Sequence, residues 1–109
     1  MTEASVTVDS VRDDALSVAV SGEIDMSNAP IVEGQILKAI PNHLAEVIVD
    51  LSALDYIDSA GLRLLFTLGT RLRTLQIDLV LVVPTDSAVR RMIDLAGVAE
   101  LIPVQSAQP

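Results

Sequence analysis

The 109-residue chain contains no cysteine and no tryptophan, and only one phenylalanine and one tyrosine. Without cysteine, disulfides, thiolate catalysis and zinc–sulfur sites are excluded. So few aromatic rings leave few platforms on which bases or sugars stack. Cations are scarce too: seven Lys and Arg stand against fifteen Asp and Glu, a formal net charge of −8. Eleven of the acidic residues fall at or before Asp58, opposed there only by Arg12 and Lys38; Arg63, Arg71, Arg73, Arg90 and Arg91 all follow. An acidic half of this kind repels phosphate backbones, which argues against nucleic-acid binding and for a basic protein surface as partner, with solubility alone as the competing reading. No apolar run approaches the ~20 residues of a transmembrane helix, and MTEASVTVDS lacks the basic-then-apolar order of a signal peptide. A cytoplasmic protein with no membrane span is therefore expected.

What is present is an aliphatic core. Half of the residues are hydrophobic, nearly all Val, Leu, Ile and Ala, enough for one domain over residues 1–109. SVTVDSV and LSVAVSG alternate with period two and are joined through RDDA, which predicts a hairpin. SNAP opens a helix, with Ser27 or Asn28 as cap, Pro30 in the first turn, and Ala29, Val32, Ile36, Ala39 and Ile40 on one face. EVIVDL and DLVLVV are short apolar runs of the kind found in strands covered on both faces. GLRLLFTLGTRLRTL is helical from about Gly61. DSAVRRMIDLAG is a third helix, capped by Asp86 or Ser87 and stopped by Gly97. VAELIPV leaves a turn and an edge strand, and the tail from about residue 105 to 109 should fray. Strands alternating with helices imply an α/β domain with a mixed sheet of four to five strands, antiparallel at the hairpin and parallel beyond it. In such sheets sites gather at the carboxyl ends of strands, here the loops GEIDMSN and LSALDYIDSAG.

Several chemistries can be weighed at these loops. A serine hydrolase needs a nucleophile elbow and a histidine base, but IDSAG lacks the first glycine, and the sole histidine, His43, sits in the turn PNHL. An aspartate-phosphorylated receiver domain needs an acidic pair after its first strand and a lysine after its last; Asp13 and Asp14 precede a strand, and no lysine follows LVLVVP. Asp25, Asp55 and Asp58 are hard-cation ligands by type, yet no phosphate-cradling glycine loop accompanies them, so no metal is expected. Ser59 lies at or beside the cap of the helix beginning near Gly61. There it either caps the helix or accepts a phosphate, which free N–H groups and the helix dipole would stabilise.

Three segments weigh on that choice. GEID, VDLSALDYIDSAGL and SAVRRMIDLAGV, framing the chain from about Val18 to Val98, resemble the signature segments of the STAS domain and are most similar to bacterial anti-sigma factor antagonists. The resemblance implies a switch without catalysis: members bind an anti-sigma factor that is also a serine kinase, which frees a sigma factor, and phosphorylation then separates the pair. It makes Ser59 the phosphoacceptor, Asp58 the aspartate before it, and Asp25 the acidic residue facing it from the neighbouring loop. Ala60 stands where many members have a second hydroxyl residue, and Gly61 would admit either the partner's backbone or the helix's own first turn. No catalytic residue, metal or cofactor is implied, since ATP and magnesium belong to the partner; a monomer is expected. Many members also continue into a helix beyond the position of LIPVQSAQP, so either part of the last strand or helix is expected to be uncovered or the chain marks a different branch of the family. The alternative within the family is a docking module of a transporter, lipid-transport or stress-signalling assembly, without serine phosphorylation.

The helix after Ser59 adds a hint of its own. Projected at about 100° per residue, Leu62, Leu65, Phe66, Gly69 and Leu72 form a core stripe, while Leu64, Leu68 and Leu75 widen the apolar arc to about 200°. Leu64 and Leu68, bordered by Arg63 and Arg71, either form a partner-binding strip or lie under a neighbouring helix. The expected partner surface accordingly adds Leu62, Arg63, Leu64 and Leu68 to the turn Asp58–Gly61 and Asp25.

Overall fold

The computed structural model describes residues 2–106, which fold in the order ββαββαβα with a closing 3-10 turn and a last short strand. Strands β1 (Ala4–Arg12) and β2 (Ala15–Ile24) form the expected antiparallel hairpin, with Val8 opposite Val18. Strands β3 (Glu46–Asp50) and β5 (Asp78–Val82) add to β2 in parallel, aligning Val18, Val49 and Leu81 across three strands. The edge strand β6 (Val104–Gln105) follows, beside β5.

Among the described residues the sheet has six strands, not four to five. The additional one, β4 (Leu54–Ile57), lies inside the stretch read as a loop and pairs with Gly22–Ile24, the part of β2 that β3 does not reach. Its sequence hides it: Leu54 and Ile57 are buried while Asp55 and Tyr56 between them are exposed, which breaks the period of two. The expectation that β3 and β5 are covered on both faces is also corrected. Val47, Val49, Leu79 and Leu81 are buried, but Ile48 and Val80 on the other face are only half-buried. Glu46 and Asp50 already mark that second face as the wetter one.

Helix α1 (Ala29–Ala39) buries Ala29, Val32 and Ile36, with Ile40 buried just beyond it, and Pro30 occupies its first turn as expected. Helix α3 (Ala88–Ala96) is capped by Ser87, whose Oγ accepts the Arg90 N–H at 3.0 Å, and ends at Gly97 in the left-handed region, φ 76°. Gln105 pairs in β6, where Val83 N–H donates to its carbonyl at 2.8 Å. Residues 107–109 of that tail lie outside the described residues.

Helix α2 (Ser59–Thr74) is rotated from its expected setting. It buries Gly61, Leu64, Leu65, Leu68, Gly69 and Leu72, whereas Leu62 and Phe66 are half-buried and Leu75 is exposed. The buried arc is centred about 70° from the stripe read at ~100° per residue. Leu64 and Leu68, 3% and 0% exposed, therefore belong to the core and form no partner strip. The cause is that α2 lies against the sheet and α1 together, so two surfaces cover its apolar arc. Each fully buried leucine contributes ~1.5–3 kcal/mol relative to exposure. Among the described residues, no helix is long and apolar enough to cross a membrane.

Candidate partner-binding site

The parallel register of β2 and β4 builds the site. Ile24 lies opposite Ile57, and Asp58 N–H donates to Ile24 C=O at 3.2 Å, so the chain leaves both strands side by side. The next residues, Asp25 and Asp58, fall within the two loops that the sequence singled out and lie about one strand spacing apart across the pair.

Asp58 caps α2. Its Oδ1 accepts the N–H groups of Ala60 at 2.9 Å and Gly61 at 3.1 Å, while its Oδ2 accepts the N–H of Met26 at 3.2 Å. One carboxylate thus closes the helix and ties the opposite loop to it. Ser59, read as cap or phosphoacceptor, is not the cap: it occupies the first helical position and is exposed. Its hydroxyl sits where the first N–H groups and the helix dipole produce a positive potential.

Asp25 is engaged elsewhere. Its Oδ1 accepts the Ser27 amide at 2.8 Å and the Ser27 hydroxyl at 2.5 Å, and its Oδ2 accepts the Thr2 hydroxyl at 2.5 Å. The Ser27 hydroxyl, then Thr2 and the Ser27 amide, hold its carboxyl below the usual aspartate range. Asn28 completes the loop: Oδ1 accepts the Asp25 N–H at 2.9 Å, and Nδ2 donates to Glu23 C=O at 2.9 Å. The buried Asn28 side chain is therefore a loop brace, and it makes no capping bond to α1.

Gly61 is buried, and a Cβ there would overlap Cγ1 of Ile57 and come within 3.1 Å of Cγ2 of Ile24. The close approach it permits is to this domain's own core, which overturns the reading that it admits a partner's backbone. Ala60 and Leu62 are half-buried and Arg63 is exposed beside them. Among the described residues, no group of three or more His, Cys, Asp or Glu side chains is placed to hold a metal ion.

Residues 7–107 match the family model of the STAS domain, and the chain belongs to that family. It is 30% identical over 103 residues, 94% of this chain and 87% of the relative, to BtrV of Bordetella bronchiseptica, a protein provisionally named an anti-sigma factor antagonist. A crystal structure of an anti-sigma factor antagonist from Mycobacterium paratuberculosis superposes with a TM-score of 0.82 at 29% identity, covering 94% of this chain and 86% of that one. The anti-sigma factor antagonist SpoIIAA in its unphosphorylated form shares the fold, with a TM-score of 0.76 at 19% identity over 95% of this chain and 89% of its own. Its phosphorylated Bacillus form matches with a TM-score of 0.70 at 18% identity over 95% and 92%.

Sequence reasoning did not anticipate Thr2, Met26 and Asn28 as parts of the site. Asn28 carried a signal, since Asx side chains favour such loops. Met26 acts through its backbone, which no side-chain pattern reveals. Thr2 reaches the site only through strand pairing, as Glu3 C=O accepts Glu23 N–H at 2.9 Å.

Proposed function

We propose that the chain is an anti-sigma factor antagonist that binds an anti-sigma factor with serine-kinase activity, frees a sigma factor, and is switched off by phosphorylation of Ser59. The observation that carries this reading is the division between adjacent residues. Asp58 supplies the helix cap, so the exposed Ser59 hydroxyl is not needed to hold the turn. In the transfer, Ser59 Oγ attacks the terminal phosphorus of ATP held by the partner. The bond to the bridging oxygen breaks, ADP leaves, and the hydroxyl proton passes to the kinase. The product carries about −1.5 to −2 added charge at the start of α2, stabilised by the helix terminus. For the partner, a hydrated dianion now occupies a surface that must be desolvated on binding, which is costly.

The names of the relatives support the same reading, as does the existence of SpoIIAA in phosphorylated and unphosphorylated forms. In this reading residues 1–109 act as one cytoplasmic STAS domain that binds and does not catalyse. Asp25, Asp58, Ala60, Gly61, Leu62 and Arg63 shape or border the docking surface.

The test combines the purified chain with a serine-kinase anti-sigma factor that binds it, and ATP. One phosphate is expected on the chain, Ser59→Ala should abolish it while keeping the fold, and Ser59→Asp should weaken binding at least several-fold. Phosphate on another residue, or none from a kinase that binds, would overturn the switch. Unchanged affinity for Ser59→Asp would favour a docking module that is not phosphorylated.

A further inference from the structure

Beside the Ser59 turn, the surface opens into a groove of about 380 Å³ between β4 and α3. Tyr56, Val89 and Met92 form much of its wall, and Asp55 and Arg91 also line it. Tyr56 is 51% and Met92 39% exposed, and Leu95, three residues along α3 from Met92, is 79% exposed. Residues three apart share a helix face, so Met92 and Leu95 extend one apolar strip. On the other side of the turn stands Met26, 78% exposed, held next to α2 by its bond to Asp58. Among the described residues, four of the eight large exposed apolar side chains thus lie at the turn (Met26) or along the groove and its continuation (Tyr56, Met92 and Leu95), a grouping that solvated surfaces seldom carry without a partner.

The surrounding charge indicates what that partner must present. Glu23, paired with Tyr56 across β2 and β4, is exposed, as is Asp55, and Asp25 and Asp58 follow directly after the two strands. Arg91 is the one cation lining the groove, on a chain of net charge −8. We propose that the anti-sigma partner makes a second contact with this chain, seating a large apolar side chain, carried on a basic segment, in the groove between β4 and α3. This rests on the partner-binding reading of the Ser59 turn and extends it. The apolar side chain gains burial between Tyr56 and Met92, with the flexible Met92 thioether adapting its shape. Basic residues flanking it meet Asp55 and Glu23. The groove then supplies an anchor that phosphorylation of Ser59 does not itself occupy.

Methionine methyl groups report on the two contacts separately. With 13C-methyl methionine in the chain, Met26 marks the turn and Met92 marks the groove; the probe is the serine-kinase anti-sigma factor that binds the unmodified chain. Both signals should shift on binding. Met92→Glu should lower affinity about tenfold or more. Val11→Glu, which adds the same charge at the far end of β1, should stay within twofold. A shift confined to Met26, with Met92→Glu binding like wild type, overturns the groove and leaves the Ser59 reading standing. A shift at Met92 together with unchanged binding by Ser59→Asp supports the groove and overturns the switch. If neither methyl responds to bound partner, both proposals fall.

Discussion

Replacing Asp58 by Ala removes one carboxylate that accepts three N–H groups, from Ala60, Gly61 and Met26. The first two are the helix cap, whose loss costs ~1 kcal/mol in a typical domain. The third is a hydrogen bond to a charged acceptor from an exposed loop; water replaces part of it, so its loss adds roughly 0.5–1 kcal/mol. The sum is ~2 kcal/mol. At ~2.1 cal/mol/K per residue, unfolding of a chain this size carries an entropy at which 1 kcal/mol moves Tm by roughly 4 °C, so Tm should fall by about 8 °C. Asp58→Asn separates the two roles. Its one carbonyl oxygen still caps α2, but its amide presents N–H groups to the Met26 N–H and cannot accept from it. Asn should therefore recover about half of the lost stability, while the Met26 amide exchanges with solvent faster in both variants. Urea denaturation gives the first quantity and residue-resolved hydrogen exchange the second. A cost below ~0.5 kcal/mol for Ala, or wild-type exchange at Met26 in the Asn variant, would refute the two-role account of the carboxylate.

The same geometry yields further expectations. Gly61→Ala gains ~1 kcal/mol of helix propensity but drives a methyl into Ile57 and Ile24, so calorimetry should show net destabilisation of ~1–2 kcal/mol; a stabilised variant would contradict the packing. Leu68→Ala, at a fully buried position, should cost ~2–5 kcal/mol in urea denaturation, and partner affinity measured on the fraction that remains folded should be unchanged. A selective loss of affinity at wild-type stability would restore Leu68 to the partner surface. Asp25, with its folded-state value held below the ordinary 3.8, binds its proton more weakly in the folded than in the unfolded chain. The stabilisation from its bonds is complete above that ordinary value and is lost as pH falls through the lower folded one. An NMR titration of the Ser27 amide should accordingly show a midpoint below that of Asp25 in the urea-unfolded chain, and an equal or higher midpoint would contradict the hydrogen bonding.

Much of the fold was legible because local signals and packing agree. The hairpin, the Pro30 first turn, the Ser87 cap and the Gly97 stop each follow from one residue type in one conformation. β4 escaped because four residues with two exposed in the middle carry no period, and only the unpaired end of β2 makes them a strand. The setting of α2 escaped for a different reason. Its apolar arc is wider than one surface needs, and the choice between the sides of Leu62 and Leu64 depends on where α1 sits, which no window of sequence contains. At the site, the two loops and the turn Asp58–Gly61 were legible, but the direction of the Asp25 carboxylate was not. Thr2, 23 residues away in sequence, takes one of its oxygens.

The identity of the α2 cap bears on how a phosphate at Ser59 could act. Had Ser59 itself been the cap, modifying it would have traded one acceptor for another at the same N–H groups, and helix stability would have changed with the switch. With Asp58 as the cap, the Ser59 side chain projects from the first turn outside the bonds that hold the two loops. In the proposed switch, phosphorylation would change charge and hydration on the surface, leaving in place the core under it, where Gly61 packs against Ile57 and Ile24. Such a switch would release a partner without unfolding the domain and would be reversed by removing the phosphate alone. It also requires that the surface around Ser59, and not a rearranged fold, distinguish the two states for whatever binds there.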